Sequence, residues 1–150
     1  MYAALYAALV IFQPGSSGLI QVRIADSLVA AVPLLGFAGV LGHTLGVFIG
    51  NIPSQLGLID LLNTIPSFVM AFVVYYTYKK TSNDYTVIAT CIAYSAVLGV
   101  TVGWMLYQVY ELPWIIASLY VAAGNIIASV LIGWPLFKIL KKLGIQRLIG

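Results

Sequence analysis

Residues 27–59 read SLVAAVPLLGFAGVLGHTLGVFIGNIPSQLGLI, 33 positions without a formal charge, closed on either side by Asp26 and Asp60. A helix needs roughly 20 mainly apolar residues to cross a bilayer, so the run is too long for one untilted crossing. It is also interrupted by Pro33, Gly36, Gly39, Gly42, Gly46 and Gly50. The reading is two shorter helices, 26–35 and 38–51, folded as a hairpin near Gly36.

Outward from that run, the segments 1–22, 61–78, 85–110 and 112–137 also carry no formal charge. The chain is 62% hydrophobic and 7% charged, against about 25% charged for a soluble domain. It is an all-α integral membrane protein with no room for a soluble catalytic domain. Six helices are expected in a single domain over 1–150: 2–12, 26–35, 38–51, 58–78, 85–110 and 114–140, the last bent at Pro135, whose ring cannot continue the hydrogen-bond ladder. The first apolar stretch lacks a basic leading region and reads as a retained helix.

Six of the seven Lys and Arg residues, Lys79, Lys80, Lys138, Lys141, Lys142 and Arg147, follow long apolar runs. Positive charge at helix ends marks the cytoplasmic side. Counting crossings places both termini inside and the loops at 13–25, 51–57 and 108–113 outside, a multi-pass topology in the cell membrane. The net charge of +3 is explained by these helix ends, and no extended basic face exists to meet nucleic acid. Cys91 is alone and His43 has no partner at metal-ligand spacing, so no disulfide or metal site is expected. No nucleophile–base pair, phosphate-binding glycine loop or nucleotide motif is present. The chain reads as a non-enzyme that binds no cofactor, and any ATP-driven step needs partner subunits.

The remaining charges and amides gather toward the outer face. Arg23, three residues before Asp26, is the one cation away from the basic clusters and is expected to pair with that acid. Asp26 and Asp60 each begin a helix, where an acid favours the dipole and caps free N–H groups. Either can instead face a water-filled cavity and accept hydrogen bonds from a ligand, since ionisable groups at membrane depth are costly unless partnered. Asn51, Asn63 and Asn125 join helices or contact ligand. Trp104, Tyr107, Tyr110, Trp114 and Tyr120 suit an interfacial belt. Ala3, Ala4, Ala7 and Ala8 give overlapping pairs of small residues that allow another helix to approach closely, inside this subunit or from a partner.

The stretch Gly18-Leu19-Ile20-Gln21-Val22-Arg23-Ile24-Ala25-Asp26-Ser27-Leu28 resembles the Pro-Ile-Gln-Phe-Arg-Ile-Ser-Glu-Ala-Leu pattern of QueT-type proteins, the queuosine-precursor S components of energy-coupling factor (ECF) transporters. The similarity continues through residues 42–51 (GHTLGVFIGN) and 56–62 (LGLIDLL), and more weakly at Ala123-Gly124-Asn125 and Gly133-Trp134-Pro135-Leu136. Two positions depart from the family pattern: Asp26 is one methylene shorter than Glu, and Asn125 stands where the family usually has Glu.

The resemblance implies a compact S-component-like bundle in a prokaryotic plasma membrane. It would capture a vitamin-like molecule, here a 7-deazaguanine base, from the outer face. An ECF transmembrane coupling subunit and two ATPase subunits would drive its release, with the alanine stripe as the docking surface. The base offers ring N–H and amine donors that suit Asp26 or Asp60, and a carbonyl that suits Asn51 or Asn125. The other class of function is a small non-catalytic assembly subunit of a membrane complex, in which the same polar residues only join helices; ligand binding separates the two.

Overall fold

The computed structural model describes residues 1–13, 23–54 and 56–145. Residues 14–22 of the expected outer loop, Gln55 and Arg147 lie outside the described residues. All regular structure among the described residues is helical. Helix α1 (Tyr2–Phe12) ends at Gln13, whose extended backbone precedes a proline, as the steric clash with a proline ring requires. A 3-10 segment, Ile24–Ala31, runs into α2 (Val32–Asn51). A second, Gly57–Asn63, runs into α3 (Thr64–Thr81). Next come α4 (Asp84–Tyr110) and α5 (Trp114–Ile126), then a π-helical stretch Ile127–Ile132 that leads into α6 (Gly133–Lys142).

Four continuous helical stretches, Ile24–Asn51, Gly57–Thr81, Asp84–Tyr110 and Trp114–Lys142, are long and apolar enough to cross a membrane, and α1 is a shorter apolar helix. The described residues thus form five helical stretches where the sequence suggests six. The difference lies at Gly36, which alone leaves helical geometry, at φ 66 and ψ −154. One residue makes the bend instead of a connecting loop. The bend is sharp: a Cβ on Gly39 would lie 3.3 Å from the Cα of Val32, seven residues earlier. In a straight helix that separation is about 10 Å.

The last stretch changes to π-helical geometry before Pro135. The π turns at Ile127–Ile132 end just ahead of the proline. A local change of helical pitch is how a membrane helix re-satisfies carbonyls that a proline ring leaves without a donor.

The molecule is inside-out by the standards of a soluble protein. Phe37, Phe72, Leu119 and Leu131 are exposed, while His43, Asp60, Ser67 and Ser95 are fully buried. Exposed apolar area of this extent suits contact with lipid. The apolar interior holds Val32, Val40, Val74, Tyr94, Leu98 and Phe137. At one end, Lys138 donates to Asp84 at 2.7 Å and Lys141 donates to the other oxygen of the same carboxylate. These bonds bring the end of α6 to the start of α4.

Candidate functional site

Three glycines one helical turn apart on α2 bring α1 close enough to build the site. A Cβ on Gly46 would lie 2.7 Å from the Cβ of Tyr6, one on Gly50 3.1 Å from Val10, and one on Gly42 3.3 Å from Tyr2. The small residues that permit close approach are therefore these glycines. The alanines of α1 do not share one open face: Ala7 is buried, Ala3 and Ala8 are half-buried, and only Ala4 is exposed.

With α1 seated, Tyr2 and Tyr6 reach the middle of the bundle. Tyr6 donates to Asp26 Oδ1 at 2.5 Å, and Tyr94 of α4 donates to the same oxygen at 3.2 Å. His43 lies between two phenols, with Nδ1 3.1 Å from the Tyr2 hydroxyl and Nε2 3.1 Å from that of Tyr94. Tyr2 in turn donates to the Leu28 carbonyl at 2.8 Å. The Tyr6 ring meets the imidazole edge-on, centroids 4.9 Å apart.

Arg23 opens the 3-10 segment and is 5% exposed. Its ion pair is with Asp60, Nη2 to Oδ2 at 3.4 Å, rather than with Asp26 at the local spacing. Asp26 meets the residue through its backbone, donating its N–H to the Arg23 carbonyl at 3.0 Å. The other guanidinium branch donates to Asn51 Oδ1 at 3.4 Å, and Asn51 Nδ2 donates to the Asp60 carbonyl at 3.1 Å. Neither acid caps a helix through its side chain. Both lie in the first turn of a 3-10 segment, and each meets a distant partner through one carboxylate oxygen.

Arg23, Asp26, Asn51 and Asp60 thus fall into one buried, connected array. Asn63 is one turn beyond Asp60 and accepts from Thr101 at 3.3 Å. Asn125 is buried on α5 and makes no bond to these residues.

A second property of the interior is its spare capacity. Among the described residues, Asp60 Oδ1, Thr64 Oγ1, Ser67 Oγ, Ser118 Oγ and Asn125 Oδ1 are buried without a hydrogen-bond partner. Asp60, Thr64 and Ser67 follow at i, i+4 and i+7, the spacing of one helical face. A buried polar atom without a partner costs roughly 1–3 kcal/mol, so each of these atoms is an uncompensated site in the interior. Asp26 Oδ1 and both ends of the Asn51 amide already have partners, whereas Asp60 Oδ1 and Asn125 Oδ1 do not. Between α3, α4 and the start of α5 lies a groove of about 390 Å³ lined by Leu62, Pro66, Val100, Thr101, Trp104, Met105 and Trp114. Thr101 is its polar member and touches Asn63.

Sequence reasoning missed Tyr6 and Tyr94, and it weighed His43 as a metal ligand. A signal was present: both tyrosines sit inside apolar helices, away from the interfacial belt, where a hydroxyl must find a partner. Ser67, Thr64 and Ser118 gave no comparable signal, because hydroxyls in membrane helices often bond back to their own backbone, as Thr44 and Thr77 do here.

A family model described as QueT transporter matches residues 1–142. No curated protein and no solved structure matches the chain.

Proposed function

The chain belongs to the QueT transporter family and is a multi-pass membrane protein, and from that premise we propose that it is the substrate-capturing S component of an ECF-type importer for a 7-deazaguanine precursor of queuosine or archaeosine. The observation that carries the reading is the set of buried acceptors without partners, above all Asp60 Oδ1 and Asn125 Oδ1. A deazaguanine presents ring N–H groups and an exocyclic amine, donors that would relieve those acceptors. Asp26 and Asn51 hold the framework, and Arg23 fixes Asp60. An aminomethyl side chain carries positive charge and favours a second carboxylate. With an amide at Asn125, this chain is suited to a neutral base such as the 7-cyano form.

In this reading the protein sits in a prokaryotic plasma membrane with both termini cytoplasmic and the Gly36 bend separating the second and third of six passes. The meeting of Lys138 and Lys141 with Asp84, beside Lys79 and Lys80, supports a single cytoplasmic end. The protein has no catalytic role of its own. A coupling subunit docks on the α1 side, and two ATPase subunits hydrolyse ATP.

The test is calorimetric titration of the protein in lipid nanodiscs with 7-cyano- and 7-aminomethyl-7-deazaguanine and with queuine. Binding of one base, weakened about 5- to 150-fold by Asn125→Ala, is the expected result; that range corresponds to roughly 1–3 kcal/mol. Failure of all three to bind would remove the substrate assignment and favour an assembly role.

A further inference from the structure

The hydrogen bonds around His43 need one more proton than the groups in their ordinary forms supply. Five links run in sequence. Tyr2 to the Leu28 carbonyl is 2.8 Å, Tyr2 to His43 Nδ1 is 3.1 Å, His43 Nε2 to Tyr94 is 3.1 Å, Tyr94 to Asp26 Oδ1 is 3.2 Å, and Tyr6 to the same oxygen is 2.5 Å. Each link holds one hydrogen. The three phenols provide three and a neutral imidazole one. With Asp26 ionised, one link has no hydrogen and two lone pairs face each other in a buried site.

We propose that Asp26, Tyr94, His43 and Tyr2 form an intramembrane proton-binding site that holds one proton, shared between the Asp26 carboxyl and the His43 imidazole through the Tyr94 hydroxyl. Two arrangements satisfy all five links. In one, Asp26 is a carboxylic acid that donates to the Tyr94 oxygen, Tyr94 donates to Nε2, and Nδ1–H donates to Tyr2. In the other, His43 is an imidazolium that donates from Nε2 to Tyr94 and from Nδ1 to Tyr2, while Tyr94 donates to the Asp26 carboxylate. They interconvert when the acid proton moves from Asp26 to the Tyr94 oxygen as the Tyr94 proton moves to Nε2. No atom or charge is gained or lost, and Tyr94 is a phenol at both ends of the step.

Charge leads to the same count independently. The titratable groups that face the site are Tyr2 and Tyr6 from α1, Arg23 and Asp26 from the first 3-10 segment, His43 from α2, Asp60 from the second, and Tyr94 and Cys91 from α4. Arg23 offsets only one of the two acids. The extra proton makes the set neutral, and an uncompensated charge at membrane depth is expensive.

His43 is the only histidine in the chain and Asp26 one of three aspartates, so the protonation state can be read without ambiguity. The experiment is solid-state NMR at pH 7 on the whole protein in lipid nanodiscs, with isotope-labelled histidine rings and aspartate carboxyls. The expected result is one proton equivalent beyond neutral imidazole and three carboxylates. It appears as an imidazolium with all three aspartates ionised, or as a neutral imidazole with one aspartic acid. In the second case Asp26→Asn abolishes the acid signal. Asp26→Glu, which keeps the carboxyl, moves that signal to a labelled glutamate and serves if the amide variant does not accumulate. A neutral imidazole with three ionised aspartates overturns the proposal. So does an imidazolium together with an aspartic acid, or an acid signal that survives both substitutions.

Discussion

Asn51 and Asn125 are both buried amides on apolar helices, and they differ in their hydrogen bonding. Asn51 spends its oxygen on Arg23 and its nitrogen on the Asp60 carbonyl, so Asn51→Ala strands two partners. It should lower stability by roughly 2–3 kcal/mol, read as a fall in melting temperature in detergent. Asn125→Ala removes an oxygen that has no hydrogen-bond partner among the described residues and should leave the melting temperature nearly unchanged while weakening ligand binding. Asp60→Asn keeps the shape but removes the carboxylate that pairs with Arg23. A broken buried pair costs about 3–5 kcal/mol, so this variant should be the least stable of the three. The sequence exposes these residues as a set, because polar groups stand out against an apolar background. It does not reveal their pairing. Arg23 and Asp26 share a local spacing, but the partner of Arg23 is 37 positions away, and only the folding of α2 and α3 brings Asp60 within reach.

At the scale of elements, the contact between α1 and α2 makes the sharpest prediction. Gly46→Leu places a branched side chain where the Tyr6 Cβ already sits. The helices must part, moving Tyr6 away from Asp26. Overpacking costs typically 1–3 kcal/mol, and the expected result is a lower melting temperature. Gly42, Gly46 and Gly50 are legible in the sequence as small residues at helical spacing, but their partner is not. The outer face of α1 behaves differently. Ala4 is exposed, whereas Ala7 is buried. Ala4→Trp should leave ligand binding by the isolated protein intact and abolish uptake in cells that carry the coupling module, while Ala7→Trp should impair folding itself. Unchanged uptake in the Ala4 variant would move the docking surface elsewhere. Pro135 warns of irregularity in the last stretch, yet the π turns fall ahead of it. Within those turns Ser129 meets Ser95, 34 positions away, at 2.9 Å, a contact that leaves no period in the sequence to read.

For the whole molecule, the five charge-free runs and the clustering of cations are legible in the order of the residues, whereas the merging of 26–35 and 38–51 into one bent stretch is not. Orientation can be tested directly, because the native Cys91 is buried and gives little background. Single cysteines at Ser82 and Glu111, both exposed turn positions, should respond oppositely to an impermeant thiol reagent. Position 111 should label on intact cells and position 82 only after lysis. Reversed labelling would invert the topology. Packing also constrains how the protein is made. A Cβ on Gly133 would lie 2.8 Å from the Ser27 carbonyl and 3.0 Å from Ala30, so α6 closes directly over the 3-10 segment that carries Asp26. Residues synthesised earlier are covered by residues synthesised about 100 positions later. Before α6 is made, the segment that carries Asp26 lacks the helix that covers it. A nascent chain halted before residue 127 should therefore stay bound to the insertion machinery or be degraded, because its polar segment is still uncovered.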